Sequence, residues 1–284
     1  MNKSNRRTGF STGAQVGIYV LLTLVVLLAI LPFLWMIMLS FKGNSQILSN
    51  PLSFPTTINL ENYRRAIQLL NLGNLYKNTI FIVVVSIAIE LCFTFASSFA
   101  LAKMTFRCKK TRSALYEFLL LGLAISPFIL LFPVYRINTI VHLKEQMGLV
   151  MPYVASSVSF NTLLFVGYLK ELPSEIDEAA IIDGCNLGQL IIRVIVPMAK
   201  PVIATVVVFN VLYIWNEFPF ASVILHHTSN YTLALGASFF KGKYNIDYSG
   251  MIASSTLMII PELIFYGIFQ KNIVSGMTAG AVKG

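Results

Sequence analysis

Residues 8–41 contain no Asp, Glu, Lys or Arg. A helix needs about 20 apolar residues to cross the hydrocarbon core of a bilayer. A water-soluble domain has few places to bury a longer run. The segment predicts a helix at about 15–39. It is too long for the apolar core of a cleaved leader, and no small-residue cleavage pattern follows it, so it reads as a retained span.

Composition supports the bilayer as solvent. Charged residues make up 12% of the chain and hydrophobic residues 56%, where a soluble domain carries about 25% charged. Five more apolar runs predict spans at about 78–102, 114–136, 150–169, 200–224 and 249–270. The third contains Pro127, Pro133 and Arg136. Neighbouring helices can satisfy the carbonyls that prolines leave free. The expected fold is therefore an all-α polytopic membrane bundle of six helices. It forms one permease-sized domain over 1–284, with both termini on one side.

Lys and Arg set the orientation. With the N-terminus inside, inside segments hold 13 of the 21 basic residues. The bias is strongest in the short turn 103–112, where Lys103, Arg107, Lys109, Lys110 and Arg112 occur without an acid. The basic residues lie between apolar runs and form no single stripe, which excludes nucleic acid as the partner. On the opposite side, the polar segment 40–77 contains Pro51, Pro55, Asn59 and Asn62. It is long enough to fold over the bundle.

Several chemistries find no support. Cys92, Cys108 and Cys185 are far apart and form no CxxC, so neither a structural disulfide nor a zinc site is expected. His226-His227 lacks nearby partner ligands and reads as a solvated loop. There is no HExxH, no GxSxG and no histidine within a span. Phosphate binding needs a glycine-rich loop followed by Lys and Ser or Thr. The nearest string, Gly236…Lys241-Gly242-Lys243-Tyr244, is one residue too long and ends in Tyr. The chain is not expected to bind ATP or to be an enzyme.

The loop between the fourth and fifth spans, 170–200, is long and has internal structure. Ser174 and Asp177 match a capping box, as do Asn186 and Gln189. Gly184 is placed to end the first helix, about 174–182, with a positive φ. The second helix runs through Leu190, Ile191 and Val194 to Pro197. A simple connection would need neither two caps nor a break between them.

Glu178-Ala179-Ala180-Ile181-Ile182-Asp183-Gly184, followed by Pro197, resembles the EAA motif of ABC importer permeases, with Val196 where that family usually has Leu. The resemblance implies a cytoplasmic coupling helix seated in a groove of a separate ATPase dimer. Glu178 and Asp183 would be polar anchors, Ala179 and Ala180 would permit close approach, and Gly184 would turn the chain. Trp215-Asn216-Glu217-Phe218 and the ending Gly276-Met277-Thr278-Ala279-Gly280-Ala281-Val282-Lys283-Gly284 resemble the carbohydrate, maltose-transporter-like branch. The stretches Phe41-Lys42, Pro51…Phe54-Pro55 and Asn62-Tyr63 also resemble the permease family. The resemblance implies a sugar importer in the bacterial cytoplasmic membrane. ATP and magnesium would be held by the partner ATPase. A second related permease and an extracytoplasmic sugar-binding protein would complete it. The tail 276–284 would make a flexible contact with the ATPase.

Polar groups inside spans are costly and usually face an interior or a pathway. Ser86, Glu90, Thr94 and Ser97 share one face of the second span, and Ser255 and Glu262 are seven apart in the sixth. In the fifth, Asn210, Tyr213 and Glu217 align, with Trp215 and Asn216 beside them. Sugars need amides, carboxylates and an aromatic platform, and these five residues supply all three, so they are the pathway candidates. Helix–helix hydrogen bonding explains the same pattern equally well. Glu90 and Glu262 read as structural. Two other transporter types fit parts of the sequence: an ABC importer for a non-sugar solute, and an ion-coupled carrier using Glu90, Glu217 or Glu262.

Overall fold

A computed structural model describes residues 12–240, 242 and 246–279. In chain order the helices are α1 (Thr12–Ser40), α2 (Asn44–Ser49), α3 (Glu61–Leu70), α4 (Leu72–Lys103), α5 (Lys109–Leu120), α6 (Pro127–Ile140) and α7 (Glu145–Glu171). They continue as α8 (Ser174–Ile182), α9 (Leu187–Gln189), α10 (Val196–Met198), α11 (Lys200–Asn216), α12 (Pro219–Ile224), α13 (Leu233–Gly236) and α14 (Tyr248–Ala279). No strand occurs among the described residues.

Helices α1, α4, α7 and α14 are each long and apolar enough to cross a membrane. They cover the runs expected at 15–39, 78–102, 150–169 and 249–270. The other two expected spans are not continuous helices. Over 114–136 the chain bends by 102° between Ala124 and Pro127. Ser126 is extended (ψ 130°), as a residue before proline prefers, and Pro127 opens α6. Over 200–224, α11 stops at Asn216 and Glu217 turns extended (ψ 115°). Pro219 cannot donate to the turn before it. The stretch Leu187–Met198 meets α11 at 75°. Counting each bent pair once gives up to six crossings.

At its far end α14 runs on through Ala279. Residues 276–279 are therefore helical, where a flexible tail was expected. Residues 280–284 lie outside the described residues.

Among the described residues, contacts cluster into two units, 12–69 with 240, 242 and 246–257, and 70–239 with 258–279. In the first, Lys42 is fully buried. Its Nζ donates to the carbonyls of Asn50 (3.0 Å) and Pro51 (3.1 Å). Asn62 donates to the carbonyls of Ser40 and Lys42, both at 2.8 Å. Trp35 Nε1 donates to Pro51 O at 3.1 Å, pinning the segment after α1 to that helix. Arg65 pairs with Asp247 at 3.1 Å. Burial pushes the Asp247 carboxyl up. The Gly250 N–H, the Ser249 hydroxyl, the Arg65 charge and Asn44 outweigh it and hold the group below the ordinary carboxylate range.

The second unit is built on α4 and α7. Ile82 and Val83 pack with Leu149 and Tyr153 in one apolar cluster. Phe95 and Phe99 pack with Phe165 and Leu169 in another. The pairing order shows that the two helices run in the same direction. Between the clusters, both helices turn polar while staying buried: Ser86, Glu90 and Thr94 on α4, and Ser157, Asn161 and Thr162 on α7. Ser98, rather than Ser97, continues the buried row of α4.

Candidate functional site

The 170–200 segment folds as an elbow. Helix α8 spans 174–182, as its sequence suggests. Gly184 has φ +80°, a left-handed conformation that glycine adopts without steric penalty. Asn186 and Gln189 form both halves of a capping box, with Gln189 N to Asn186 Oδ1 at 2.9 Å and Asn186 N to Gln189 Oε1 at 3.0 Å. The Ser174 box does not form. Pro173 stands at the cap, no side-chain cap bond is made, and Asp177 turns to Lys103, 2.9 Å away. Lys103 Nζ also donates to Leu172 O at 2.8 Å, so the end of α4 grips both sides of the α7–α8 joint. The second arm is not a plain helix. Residues 190–195 widen into a π-helical turn just before Pro197, whose ring crowds the carbonyl four residues back.

The elbow has an inner and an outer face. Ala180, Leu190 and Ile195 pack into the cluster around Phe95 and Phe165. Ala180 therefore faces the bundle rather than sharing the exposed side with Ala179. Glu178, Ala179, Asp183, Gly184 and Pro197 are exposed. Beside them Ile181 (61%), Ile182 (85%) and Leu187 (53%) are bare apolar side chains. A Cβ added at Gly184 would meet nothing within 4 Å.

The span-five residues fare differently from one another. Asn210 is buried and donates to Asn161 Oδ1 at 2.9 Å and Val206 O at 3.0 Å. Glu217 is buried, and its carboxylate is fully engaged. Oε1 accepts from Phe220 N (2.6 Å), and Oε2 accepts from Ala221 N (3.1 Å) and Tyr153 Oη (2.6 Å). Glu217 thus caps α12 and ties it to α7. Tyr213 is half-exposed and lines a cavity of about 230 Å³ with Ser156, Ser157, Phe160, Phe209 and Asn210. Trp215 lies against Tyr76 at 6.3 Å and lines a second cavity of about 160 Å³ with Glu262. Asn216 Nδ2 donates to Glu262 Oε1 at 2.6 Å. Glu90 is fully buried with neither oxygen hydrogen-bonded. The nearby Ser157 hydroxyl donates to Val154 O.

Local sequence gave no sign of the partners Lys103, Tyr153 and Asn161, because each bond joins residues 49 to 74 positions apart along the chain.

The description "binding-protein-dependent transport system inner membrane component" belongs to a family model that matches residues 93–279. The chain belongs to this family. This inner membrane component is 33% identical over 271 residues to the putative ABC transporter permease protein ORF2 of Caldicellulosiruptor sp., covering 94% of this chain and 96% of that one. It is 33% identical over 267 residues to the multiple sugar-binding transport system permease protein MsmG of Streptococcus mutans, covering 93% and 96%. Its fold matches a chain of a bacterial ABC transporter that imports the acidic polysaccharide alginate. The TM-score is 0.76 at 23% identity, covering 92% of this chain and 98% of that one. Both sequence relatives are permeases, and the matched region includes the whole elbow.

Proposed function

We propose that the chain forms half of the translocation pathway of an ATP-driven sugar importer and is driven through its elbow by a separate ATPase dimer. One observation carries this reading. The elbow is anchored inward by Ala180, Leu190, Ile195 and the Lys103–Asp177 pair, and its outer side presents Glu178, Asp183 and bare isoleucines. A joint held firmly on one face and unfilled on the other suits a lever that receives a partner. A sugar cargo is supported by the sugar-binding transport system to which the Streptococcus mutans relative belongs.

In this reading the two bent pairs each count as one crossing, which makes six spans with both termini and the elbow in the cytoplasm of a bacterial cell. ATP and magnesium bind in the ATPase, a second related permease supplies the other half, and an extracytoplasmic binding protein delivers the sugar. A ligand shifts a two-state equilibrium only through differential affinity. ATP closes the ATPase dimer, the elbow moves with it, and Lys103 and the α10–α11 joint carry the motion into α4 and α11. Tyr213, Trp215 and Asn216 are the span-five residues placed to meet the sugar. Asn210 and Glu217 hold the helices that present them.

The test is Gly184→Trp. The site has open space around it, but at φ +80° any side chain strains the turn, so Gly184→Ala serves as the control for strain and the loss in Gly184→Trp beyond it reports the partner. The expected result is loss of the copurifying ATPase and of ATP-linked uptake. Normal assembly with normal uptake would sink the proposal.

A further inference from the structure

The segment that follows α1 has its polarity turned inside out. Between Lys42 and Glu61 the chain carries no Asp, Glu, Lys, Arg or His. Asn59 N donates to Phe41 O at 3.1 Å, which closes residues 41–59 into a loop. The interior of that loop is polar. Lys42 Nζ is buried there on the carbonyls of Asn50 and Pro51, with Ser53 Oγ at 3.4 Å. The exterior is apolar. Leu48, Leu52 (76%), Phe54 (84%), Ile58 and Leu60 are all bare. Of the Ile, Leu and Phe residues between 43 and 60, only Ile47 is buried. A loop standing in water does the reverse: it leaves a lysine amine in solvent and tucks its leucines away. Single exposed apolar side chains need no explanation, but a dense group of them marks a contact surface.

The depth of the loop follows from α1. At 1.5 Å per residue, its 29 residues are about 43 Å long. The hydrocarbon core of a bilayer is about 30 Å thick. With α1 centred, the hydrocarbon ends near the level of Trp35, five residues before the helix ends at Ser40. Tryptophan is enriched at that boundary, where its ring sits at headgroup level. The Trp35 indole N–H donates to Pro51 O at 3.1 Å. The chain thus passes the boundary at the end of α1 and comes back to it at Pro51. Leu52 and Phe54 follow at once, pointing outward and without a charge beside them. Along its apolar length α1 is itself exposed, so the loop extends a surface that already faces lipid.

From this geometry we infer that the loop 41–59 is an interfacial membrane anchor. Leu52 and Phe54 enter the headgroup and upper acyl region beside α1, and Trp35 fixes their depth. The partner is the bilayer surface, which takes up apolar side chains and rejects charge. Burying the Lys42 amine inside the loop is what lets the exterior go in. The inference goes beyond the importer reading and needs only that α1 crosses the membrane. Neither the elbow nor the cargo enters it, so its failure leaves that reading intact.

Spin labelling tests the anchor. Leu52→Cys, Phe54→Cys and Arg64→Cys are placed singly in a chain whose Cys92, Cys108 and Cys185 are changed to Ser. Positions 52 and 54 point outward, so a nitroxide there displaces no packed contact, and the exposed Arg64 supplies the aqueous control. The labelled chain is assembled in nanodiscs with the subunits that copurify with it. Collision with oxygen, which concentrates in lipid, is compared with collision with a neutral nickel chelate, which stays in water. The expected result is that oxygen dominates at 52 and 54 and the nickel chelate at 64. The logarithm of their ratio then changes sign between the loop and α3, and adding the extracytoplasmic binding protein leaves 52 and 54 unaltered. Nickel dominance at 52 or 54 puts the loop in water and overturns the inference. An immobilised label shielded from both reagents reveals a protein neighbour, and oxygen access lost on adding the binding protein reveals a docking surface. Either result also overturns it.

Discussion

Asp177→Asn should loosen the elbow without unfolding the bundle. Asp177 and Lys103 are 2.9 Å apart and keep only 18% and 10% side-chain exposure. Removing one partner of a buried pair costs about 3–5 kcal/mol. Two features reduce that here. Both side chains retain some solvent, and Lys103 keeps its 2.8 Å bond to Leu172 O. About 2–3 kcal/mol remains. The loss should be local, because Ala180 still anchors α8 in its apolar cluster. Local opening of α8 should then rise roughly 30- to 150-fold. Hydrogen exchange read by mass spectrometry on the assembled complex reports it. The amides of Asp183, Gly184 and Cys185 donate to Ala179, Ile181 and Ala180, so a peptide spanning 174–185 carries the signal. Lys103→Met combined with Asp177→Leu should recover most of the protection, since replacing both charges removes the stranded one. Exchange within about twofold of the parent in Asp177→Asn, or a double variant no better than the single, would refute the reasoning.

Glu217→Ala should cost at least about 3 kcal/mol in denaturant unfolding, because it strands the Phe220 and Ala221 N–H groups and the Tyr153 hydroxyl. A Tyr153→Phe change in that background should add little. Asn161→Ala and Asn210→Ala should couple by about 1 kcal/mol in a double-mutant cycle, from their 2.9 Å bond. Asp247 should titrate below its unfolded value of about 3.9, since its carboxyl is held down in the fold. A depressed carboxylate stabilises fully above the unfolded pKa and loses that contribution as pH falls through the folded one. The side-chain carboxyl carbon resonance of Asp247 checks the sign, and Asn at 247 should abolish that acid-range loss.

Four spans were legible because each is one continuous helix of high mean hydropathy, and hydropathy sums over such a helix without needing to know its neighbours. The same sum concealed the two breaks. A bend at Ser126 or Glu217 leaves the average unchanged and depends on a proline's missing N–H or on one carboxylate capping the next helix. Gly184 and the Asn186–Gln189 box could be read because turn and cap chemistry is local. Ser174 misled for the opposite reason: its apparent box partner, Asp177, is taken by a lysine 74 positions earlier. The π-helical turn before Pro197 left no sequence sign beyond the proline. In the fifth span, periodicity placed Asn210, Tyr213 and Glu217 on one face but could not tell a free polar group from a satisfied one. Asn161 and Tyr153 make that distinction. The left-handed turns at His142 and Glu145 were not visible in sequence, since neither residue carries a compositional mark of that conformation.

The central claim is that the outer face of the elbow rests on a nucleotide-hydrolysing partner in the cytoplasm. Ile182, 85% exposed, offers the most direct test. Ile182→Cys is placed in a chain whose Cys92, Cys108 and Cys185 are changed to Ser, and membranes are treated with a short bifunctional thiol-to-amine reagent. The account predicts one cross-linked product, the ATPase subunit, with a yield that changes when ATP is added, and no labelling by an impermeant maleimide applied from outside the cell. Labelling from outside, or a cross-link to no ATPase, would contradict it.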